Sequence, residues 1–179
     1  TIIGQPLHIR NIRQNRPQPG LRPQHLEAVI TAAKLCDAEV TGAEIGSREL
    51  LYKPNKVMGD AIEAEIGTAG SIPMLLITVL PICVFAEKTM KLHVSKGGTD
   101  VSNSPTINYI MHVLLPTLKR MGINMSLAVN KYGYYPKGMG EVTIAVEPCS
   151  AIKPMLLEEF GELKTIKGVS VCTFLAERR

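Results

Sequence analysis

The fold is decided by residues 6–37, which read PLHIRNIRQNRPQPGLRPQHLEAVITAAKLCD. The run from Pro6 to Arg13 contains enough apolar and β-branched residues to predict a strand. The proline, glycine and arginine residues that follow, as far as Arg22, end that strand, and Pro23 suits the first turn of a helix. Apolar residues then recur at helical spacing, at Leu26, Val29, Ile30 and Ala33. The stretch therefore predicts a strand, a stiff loop and a helix that ends near Asp37.

The same alternation continues along the chain. Apolar periodicity predicts two further helices, at residues 71–85 and 108–121. Strand-like runs occur at residues 38–45, 49–53, 61–66, 90–94, 127–129 and 141–146, with a last one at 168–175. Residues 97–100 and 132–140 are predicted loops. A helix is followed by one or two strands three times, which indicates a weak internal repeat of αββ type in units of about 50 residues. The predicted fold class is α/β (α+β), with repeated αββ units and mixed sheets packed on helices.

The composition is that of one globular domain, or of one domain and part of a second, with 45% hydrophobic and 20% charged residues. The four cysteines are isolated, and no histidine stands at zinc-finger spacing from them, which favours reduced thiols in an intracellular compartment. The longest apolar run, Ile72 to Ala86, contains two prolines and is too short to cross a bilayer, so a membrane is not expected as a partner. Because the chain opens at Thr1 without an initiator methionine and stops at Arg179 without a capping element, we expect it to be interrupted at both ends.

Positive charge is concentrated in the loop before the first helix. The net charge is only +4, but Arg10, Arg13, Arg16 and Arg22 occur with no acidic residue among them. Arginine offers forked donors to phosphate oxygens, the start of a helix adds free N–H groups, and proline limits the entropy lost when a loop orders around a ligand. The group together predicts an anion-binding loop. For any single arginine, a solvated charge or a structural ion pair is the alternative.

Five segments in combination resemble the RNA 3′-terminal phosphate cyclase family. The first is the loop itself, with Ile12, Arg13, Arg16 and the run Pro19-Gly20-Leu21-Arg22-Pro23-Gln24-His25. The others are GAEIGS at 42–47, GTAGS at 67–71, KGGTD at 96–100 with Pro105 close behind, and YYPKGMGEV at 134–142. Each segment alone is weak, but the combination is specific and covers nearly the whole chain. The resemblance implies the fold that these cyclases share with the enolpyruvyl transferases. Residues 1–179 would form most of the larger domain, ending near the start of an inserted smaller domain.

The resemblance also implies a reaction and a set of site residues. The reaction is the ATP-dependent conversion of an RNA 3′-phosphate to a 2′,3′-cyclic phosphate through an adenylated histidine and adenylated RNA. The expected partners are RNA with a 3′-terminal phosphate, ATP and Mg²⁺, and the expected location is the cytoplasm, or the nucleus in a eukaryote. By resemblance, Arg13, Arg16 and Gln24 form the catalytic set. The same two arginines, with Arg22 and His25, would contact the substrate phosphate, and Pro105 would line the nucleotide pocket.

Parts of the family pattern fall outside the chain or differ within it. The family's metal-binding glutamate and adenylated histidine are expected before Thr1 and beyond Arg179. These 179 residues are therefore predicted to hold no metal site and not to complete the reaction alone. Ile77 stands at a nucleotide-binding position that is usually glutamine, and its side chain cannot form a hydrogen bond. Met139 replaces a glycine of the family's loop, where we expect the backbone shape to be altered or not required.

Two features keep alternative interpretations. Tyr132, Tyr134 and Tyr135 are either stacking platforms for the bases of single-stranded RNA or residues packed in the core and turns. The segment Gly67–Ser71 either cradles a phosphate or caps the following helix through Ser71 or Thr68.

Two rival identities share the implied fold. One is a non-catalytic ribosome-assembly factor, which Ile77 favours mildly and which Arg16 and the run from Arg22 to His25 oppose. The other is a small-molecule transferase of the enolpyruvyl type, which would show no preference for RNA.

Overall fold

The computed structural model describes residues 1–173, and its first layer is a small antiparallel sheet. The sheet contains β1 (Leu7–Ile9), β2 (Glu39–Thr41) and β3 (Leu50–Lys53), in the order β1-β3-β2. Helix α1 (Pro23–Cys36) connects β1 to β2. The Tyr52 hydroxyl of β3 donates to the Ala32 carbonyl of α1 (2.9 Å), which ties the helix to the sheet.

The second sheet is mixed and has four strands. These are β4 (Ala61–Glu65), β5 (Met90–Gly97), β6 (Met125–Lys131) and β7 (Gly140–Val146), in the order β4-β5-β7-β6. Helix α2 (Ile72–Cys83) is the crossover between the parallel strands β4 and β5, and the other neighbours are antiparallel. A helical segment connects β5 to β6. It consists of α3 (Ile107–Tyr109), a π-helical turn (Ile110–Leu114) and α4 (Leu115–Arg120). The predicted fold class, helices packed on sheets in an α+β arrangement, is confirmed.

A strand–helix–hairpin unit occurs twice in the chain. The first unit runs β1, α1, β2, β3, and the second runs β5, the helical segment at 107–120, β6, β7. In both units the last strand returns to pair antiparallel with the first, which gives the orders β1-β3-β2 and β5-β7-β6. The repeat is therefore βαββ, with β4 and α2 standing between the two copies. The sequence predicted the strands that open both units, at residues 6–13 and 90–94, but did not assign them to the repeat, because strand pairing is not visible in sequence order.

The core lies between the helices and one face of the second sheet. Strand β7 alternates buried and half-buried residues, and β5 buries Met90, Leu92 and Val94. Helix α2 packs against α1 on one side and against β5 and β7 on another, which explains why most of its residues are apolar and buried. Full burial of each large aliphatic side chain contributes about 1.5–3 kcal/mol. Within residues 1–173, no helix combines the length and the apolar character that a membrane span requires.

The third predicted helix, expected as one regular helix over residues 108–121, contains a π-helical turn at Ile110–Leu114. The Leu115 N–H donates to the Ile110 carbonyl five residues earlier, which makes the π-helical turn. Pro116 follows directly. Proline has no N–H, and in a regular α-helix its ring collides with the carbonyl four residues before it. The wider turn accommodates the proline inside one continuous helical segment.

Several strands differ from the sequence predictions. β1 is shorter than Pro6–Arg13 because Asn11 and Arg13 take positive φ angles of 57° and 52°, which a strand does not contain. β5 and β6 are longer than predicted because they pair with β7 along their length. The strand predicted at 168–175 is wrong for residues 168–173, and residues 174 and 175 lie outside the described residues. Residues 151–173 contain neither helix nor strand, and a strand needs a neighbouring strand for its backbone hydrogen bonds.

Candidate functional site

Five loops, with the ends of the helices and strands beside them, carry the segments singled out in the sequence. Three lead from a strand into a helix, at residues 10–22, 66–71 and 98–106, and two connect hairpin strands, at residues 42–49 and 132–139. Because β4 and β5 are parallel, their loops leave the same edge of the second sheet. In each βαββ unit, the hairpin loop lies beside the loop that follows the first strand. Topology therefore brings these segments toward one end of the molecule.

In the first unit, the arginine-rich loop is bonded to the β2–β3 loop through the backbone. The Leu21 N–H donates to the Ser47 carbonyl (2.9 Å), and the Gly46 N–H donates to the Leu21 carbonyl (2.8 Å). Gly20 has a φ of +82°, and a Cβ at Gly20 would lie 2.1 Å from the Gly46 carbonyl oxygen. No residue with a side chain fits this crossing without backbone movement.

Arg13 closes the loop upon itself. Its Nη1 donates to the carbonyls of Gln18 (2.7 Å) and Gly20 (3.0 Å). Its other guanidinium donors have no hydrogen-bond partner within residues 1–173. Arg13, which was predicted to bind a phosphate, therefore also stabilises the conformation of its own loop.

Arg16 and Arg22 differ from Arg13 in this respect. Arg16 is exposed, and its backbone N–H donates to the Arg13 carbonyl (3.0 Å). Arg22 is half-buried and stands at the N-cap of α1. In the described part of the chain neither side chain forms an ion pair with a carboxylate. Arg22 stands at the start of α1, where the helix dipole also favours an anion, and Arg16 lies in the loop that precedes it.

His25 helps to cap the same helix. Its Nδ1 accepts a hydrogen bond from the Arg22 backbone N–H (3.3 Å). Burial lowers the pKa of His25, and the nearby positive charges of Arg13 and Arg22 lower that pKa further. A neutral imidazole that accepts at Nδ1 carries its proton on Nε2. His25 is therefore a neutral donor beside the arginines at pH 7.

Gln24 joins the start of α1 to the start of α2. Its Oε1 accepts a hydrogen bond from the Ser71 N–H (3.2 Å), so the carboxamide NH₂ is the end left to meet a ligand. Gly70 allows this approach, since a Cβ there would lie 3.0 Å from the Gln24 Cβ. The structure thus brings Gln24 together with the GTAGS segment, 47 residues away in sequence.

Pro105 reaches the same place through two serines. Ser71 caps α2, because its Oγ accepts from the Met74 N–H (3.1 Å). The Ser71 hydroxyl is also bonded to the Ser104 hydroxyl, and Ser104 donates to the Pro105 carbonyl (3.0 Å). Of the two alternatives for GTAGS, helix capping by Ser71 is the one observed. Ser104 was missed in the sequence, where a serine before a proline gives no signal of its own.

In the second unit, Thr99 connects the loop after β5 to the β6–β7 loop and to the start of α3. The Thr99 N–H donates to the Gly133 carbonyl (2.7 Å), and the Thr99 carbonyl accepts from the Ile107 N–H at the start of α3 (2.8 Å). Gly138 touches the GTAGS segment, because a Cβ at Gly138 would lie 2.9 Å from the Thr68 carbonyl oxygen. Thr99 is fully buried and its role was also missed, since a lone threonine in a glycine-rich turn predicts nothing specific.

The three tyrosines of the last loop have different surroundings. The Tyr132 hydroxyl donates to Asn108 Oδ1 (3.0 Å), so this residue is engaged in packing the loop on α3. Tyr134 is half-buried, and burial raises its pKa. Tyr135 is 81% exposed. Base stacking stays a prediction for the three tyrosines, and Tyr135 has the most exposed side chain of the three.

Positive φ angles concentrate in these loops. Among the described residues other than glycine, six take a positive φ, and only Asp37, at the end of α1, lies outside the loops and their motif segments. The others are Asn11, Arg13, Lys96, Asn103 and Met139. Met139 has a φ of 62°, in the left-handed region that glycine adopts more readily. The neighbouring Gly138, packed on Thr68, fixes the loop, and the strain at Met139 is about 1–2 kcal/mol.

Ile77 lies apart from the cluster of Gln24, Ser71 and Pro105. It is on the second turn of α2 and lines an apolar groove of about 320 Å³ with residues of α4 and β6, none of which belongs to that cluster. Ile77 is 38% exposed, so the groove is open to solvent at this position. Nucleotide binding at Ile77 stays a prediction.

The described residues suit an anion better than a metal ion. Two helix starts, the arginines and the Gln24 amide offer donors to phosphate oxygens. Within residues 1–173, no group of three or more histidine, cysteine, aspartate or glutamate side chains is placed to hold a metal ion.

Comparison with known proteins identifies the family of the chain. The family model described as RNA 3′-terminal phosphate cyclase matches residues 1–176. The RNA 3′-terminal phosphate cyclase of Pyrococcus furiosus is 44% identical over 174 residues, which is 97% of this chain and 51% of the relative. That of Methanopyrus kandleri is also 44% identical, over 97% of this chain and 49% of the relative. That of Methanosarcina acetivorans is 47% identical over 83% of this chain and 41% of the relative. The chain spans about half the length of these relatives. It belongs to the RNA 3′-terminal phosphate cyclase family.

Proposed function

We propose that the protein represented by this chain is an RNA 3′-terminal phosphate cyclase, which uses ATP to convert an RNA 3′-phosphate to a 2′,3′-cyclic phosphate. The observation that carries the proposal is the Gln24–Ser71 hydrogen bond. This bond joins the start of α1, directly after the arginine-rich loop, to the glycine-rich segment at residues 67–71, so that the two segments lie side by side. The relatives' names support the reaction, and the geometry supports an anionic ligand at this place.

The chain's own residues would act mainly by binding and orientation. ATP supplies the activated phosphoanhydride. Arg16 and Arg22 would balance the negative charge of the RNA phosphate, and electrostatic stabilisation of this kind usually contributes more to the rate than any other effect in such sites. Neutral His25 would donate from Nε2 without adding charge, and the Gln24 amide would donate from the opposite wall. Arg13 would act chiefly by shaping the loop.

The proposal divides the work between this chain and the remaining half of its relatives' length. The histidine that takes AMP, and any Mg²⁺ site, would lie in that half. We therefore expect the 179 residues alone to bind RNA ends but not to cyclise them. We place the reaction in the cytoplasm, or in the nucleus in a eukaryote.

The test compares two short labelled RNAs, one ending in a 3′-phosphate and the other in a 3′-hydroxyl, by fluorescence anisotropy at low salt, where phosphate contacts are strongest. The wild-type chain should prefer the phosphate end. Arg16→Ala should weaken binding of that RNA by about tenfold, the loss expected for one charge-assisted hydrogen bond. Arg120→Ala is the matched control, because Arg120 is exposed at the end of α4 and outside the five loops.

Equal binding of both RNAs, unchanged by Arg16→Ala, would contradict the proposal and favour the assembly-factor alternative. No binding of RNA, with binding of a small phosphorylated compound that Arg16→Ala weakens, would favour the transferase alternative.

A further inference from the structure

A directed chain of hydrogen bonds links α2 to Pro105. The Ser104 hydroxyl uses its single proton on the Pro105 carbonyl (3.0 Å). The bond between the two serine hydroxyls must therefore be donated by Ser71 and accepted by Ser104. The Ser71 oxygen in turn accepts from the Met74 N–H (3.1 Å). The chain thus runs from the first turn of α2 to the carbonyl of Pro105, with every donor and acceptor used once.

Ser71 also sets the direction of Gln24. Its backbone N–H holds the Gln24 Oε1 (3.2 Å), so the carboxamide cannot turn over without losing that bond. The side chain of Ser71 contacts the loop of Pro105 while its backbone contacts Gln24. One serine therefore stands between a residue of the first unit and a residue of the second.

Ser104 itself contributes little to the core. It is half-buried, and its neighbours Ser102 and Asn103 are exposed. Ser71, by contrast, is 2% exposed, so water cannot readily replace a lost partner of its hydroxyl. Removal of the Ser104 hydroxyl would force the Ser71 hydroxyl to seek another acceptor and would disturb the cap of α2.

We propose that Ser104 is a positioning residue that couples Pro105 to the orientation of Gln24 through Ser71. The identity of the ligand that benefits, an RNA 3′-phosphate, rests on the proposed function. The coupling itself rests on the four hydrogen bonds alone. A phosphate bound by the Gln24 amide and a group packed on Pro105 would be held at a fixed separation by this pair of serines.

The first test uses ¹⁵N NMR of the ligand-free 179-residue chain. The Gln24 side-chain NH₂ signal is assigned by its loss in Gln24→Ala. Ser104→Ala should shift this signal, although Ser104 forms no hydrogen bond to Gln24. Ser104→Thr keeps the hydroxyl and should restore the signal. Ser102→Ala, which removes an exposed serine of the same loop, should leave it unmoved. If Ser104→Ala does not fold, Ser104→Cys, whose thiol is a weak donor, gives the same comparison.

The second test is a double-mutant cycle on binding of RNA with a 3′-phosphate. Ser104→Ala should weaken binding about threefold to tenfold, and the variant that combines it with Gln24→Ala should bind no more weakly than Gln24→Ala alone. An unmoved Gln24 signal in the first test, or losses that multiply in the second, would overturn the inference. A wild-type chain that does not prefer the 3′-phosphate would overturn the proposed function instead, and the ligand-free NMR comparison would still decide the coupling.

Discussion

The two βαββ units build the same pair of loops with different chemistry. In the first unit, the loop after β1 meets the β2–β3 loop through Leu21 and Ser47 and carries arginines. In the second, the loop after β5 meets the β6–β7 loop through Thr99 and Gly133 and contains no lysine or arginine. The pairing of the loops is common to both units, whereas the arginines belong to the first. Under the proposed function, the first unit would attract the anion and the second would fix where it sits.

The largest expected effect tests how far the stability of the first unit depends on the close crossing of its two loops at Gly20. Gly20→Ala should lower the free energy of unfolding by about 3 kcal/mol, because its Cβ would meet the Gly46 backbone in a left-handed conformation. Urea denaturation measures this loss as a shift in midpoint. Gly161→Ala is the control, since a Cβ there meets nothing within 4 Å. Equal midpoints for the two variants would mean that the crossing of Gly20 and Gly46 is not formed.

A smaller effect separates the two arginines that the sequence treated alike. Arg13→Ala should cost about 1–2 kcal/mol of stability, since it removes charge-assisted hydrogen bonds to the Gln18 and Gly20 carbonyls from a half-buried side chain. Arg16→Ala should change stability by less than about 0.5 kcal/mol, because that side chain is exposed. Thermal unfolding of both variants under one buffer condition measures the difference. Similar melting temperatures would show that Arg13 does not hold the loop.

The smallest effect concerns His25 and pH. Its pKa in the folded chain lies below the ordinary value of 6.5, so between these two values the unfolded chain binds more protons. Stability should therefore be complete above pH 6.5 and decline as the pH falls through this window. His25→Gln keeps an acceptor for the Arg22 N–H but does not titrate, so it should flatten this part of the curve. His112→Gln, at an exposed position, serves as the control. A wild-type slope that persists in His25→Gln would assign the pH dependence to another group.

The fold class and the stiff arginine-rich loop could be predicted because their signals are local. Helical spacing in residues 23–36 and the clustered arginines are legible within one short window. The site's other half depends on partners far apart in sequence, such as Gln24 with Ser71 and Thr99 with Gly133, and no local pattern reveals them. The phosphate-binding roles of Arg16, Arg22 and His25 stay predictions. Arg13 shows what composition alone does not predict, because an arginine in a charged cluster can donate hydrogen bonds to backbone carbonyls of its own loop.

The presence of two βαββ units also bears on how the gene could have evolved. Duplication and fusion of one ancestral gene segment would produce both halves at once, with equivalent loops already facing each other. The amino-acid sequence of each copy could then diverge while selection preserved its backbone fold. Such divergence would account for two units whose strands pair in the same order without strong residue identity. An ancestor of this kind would have needed two identical copies to assemble the site that one chain now contains.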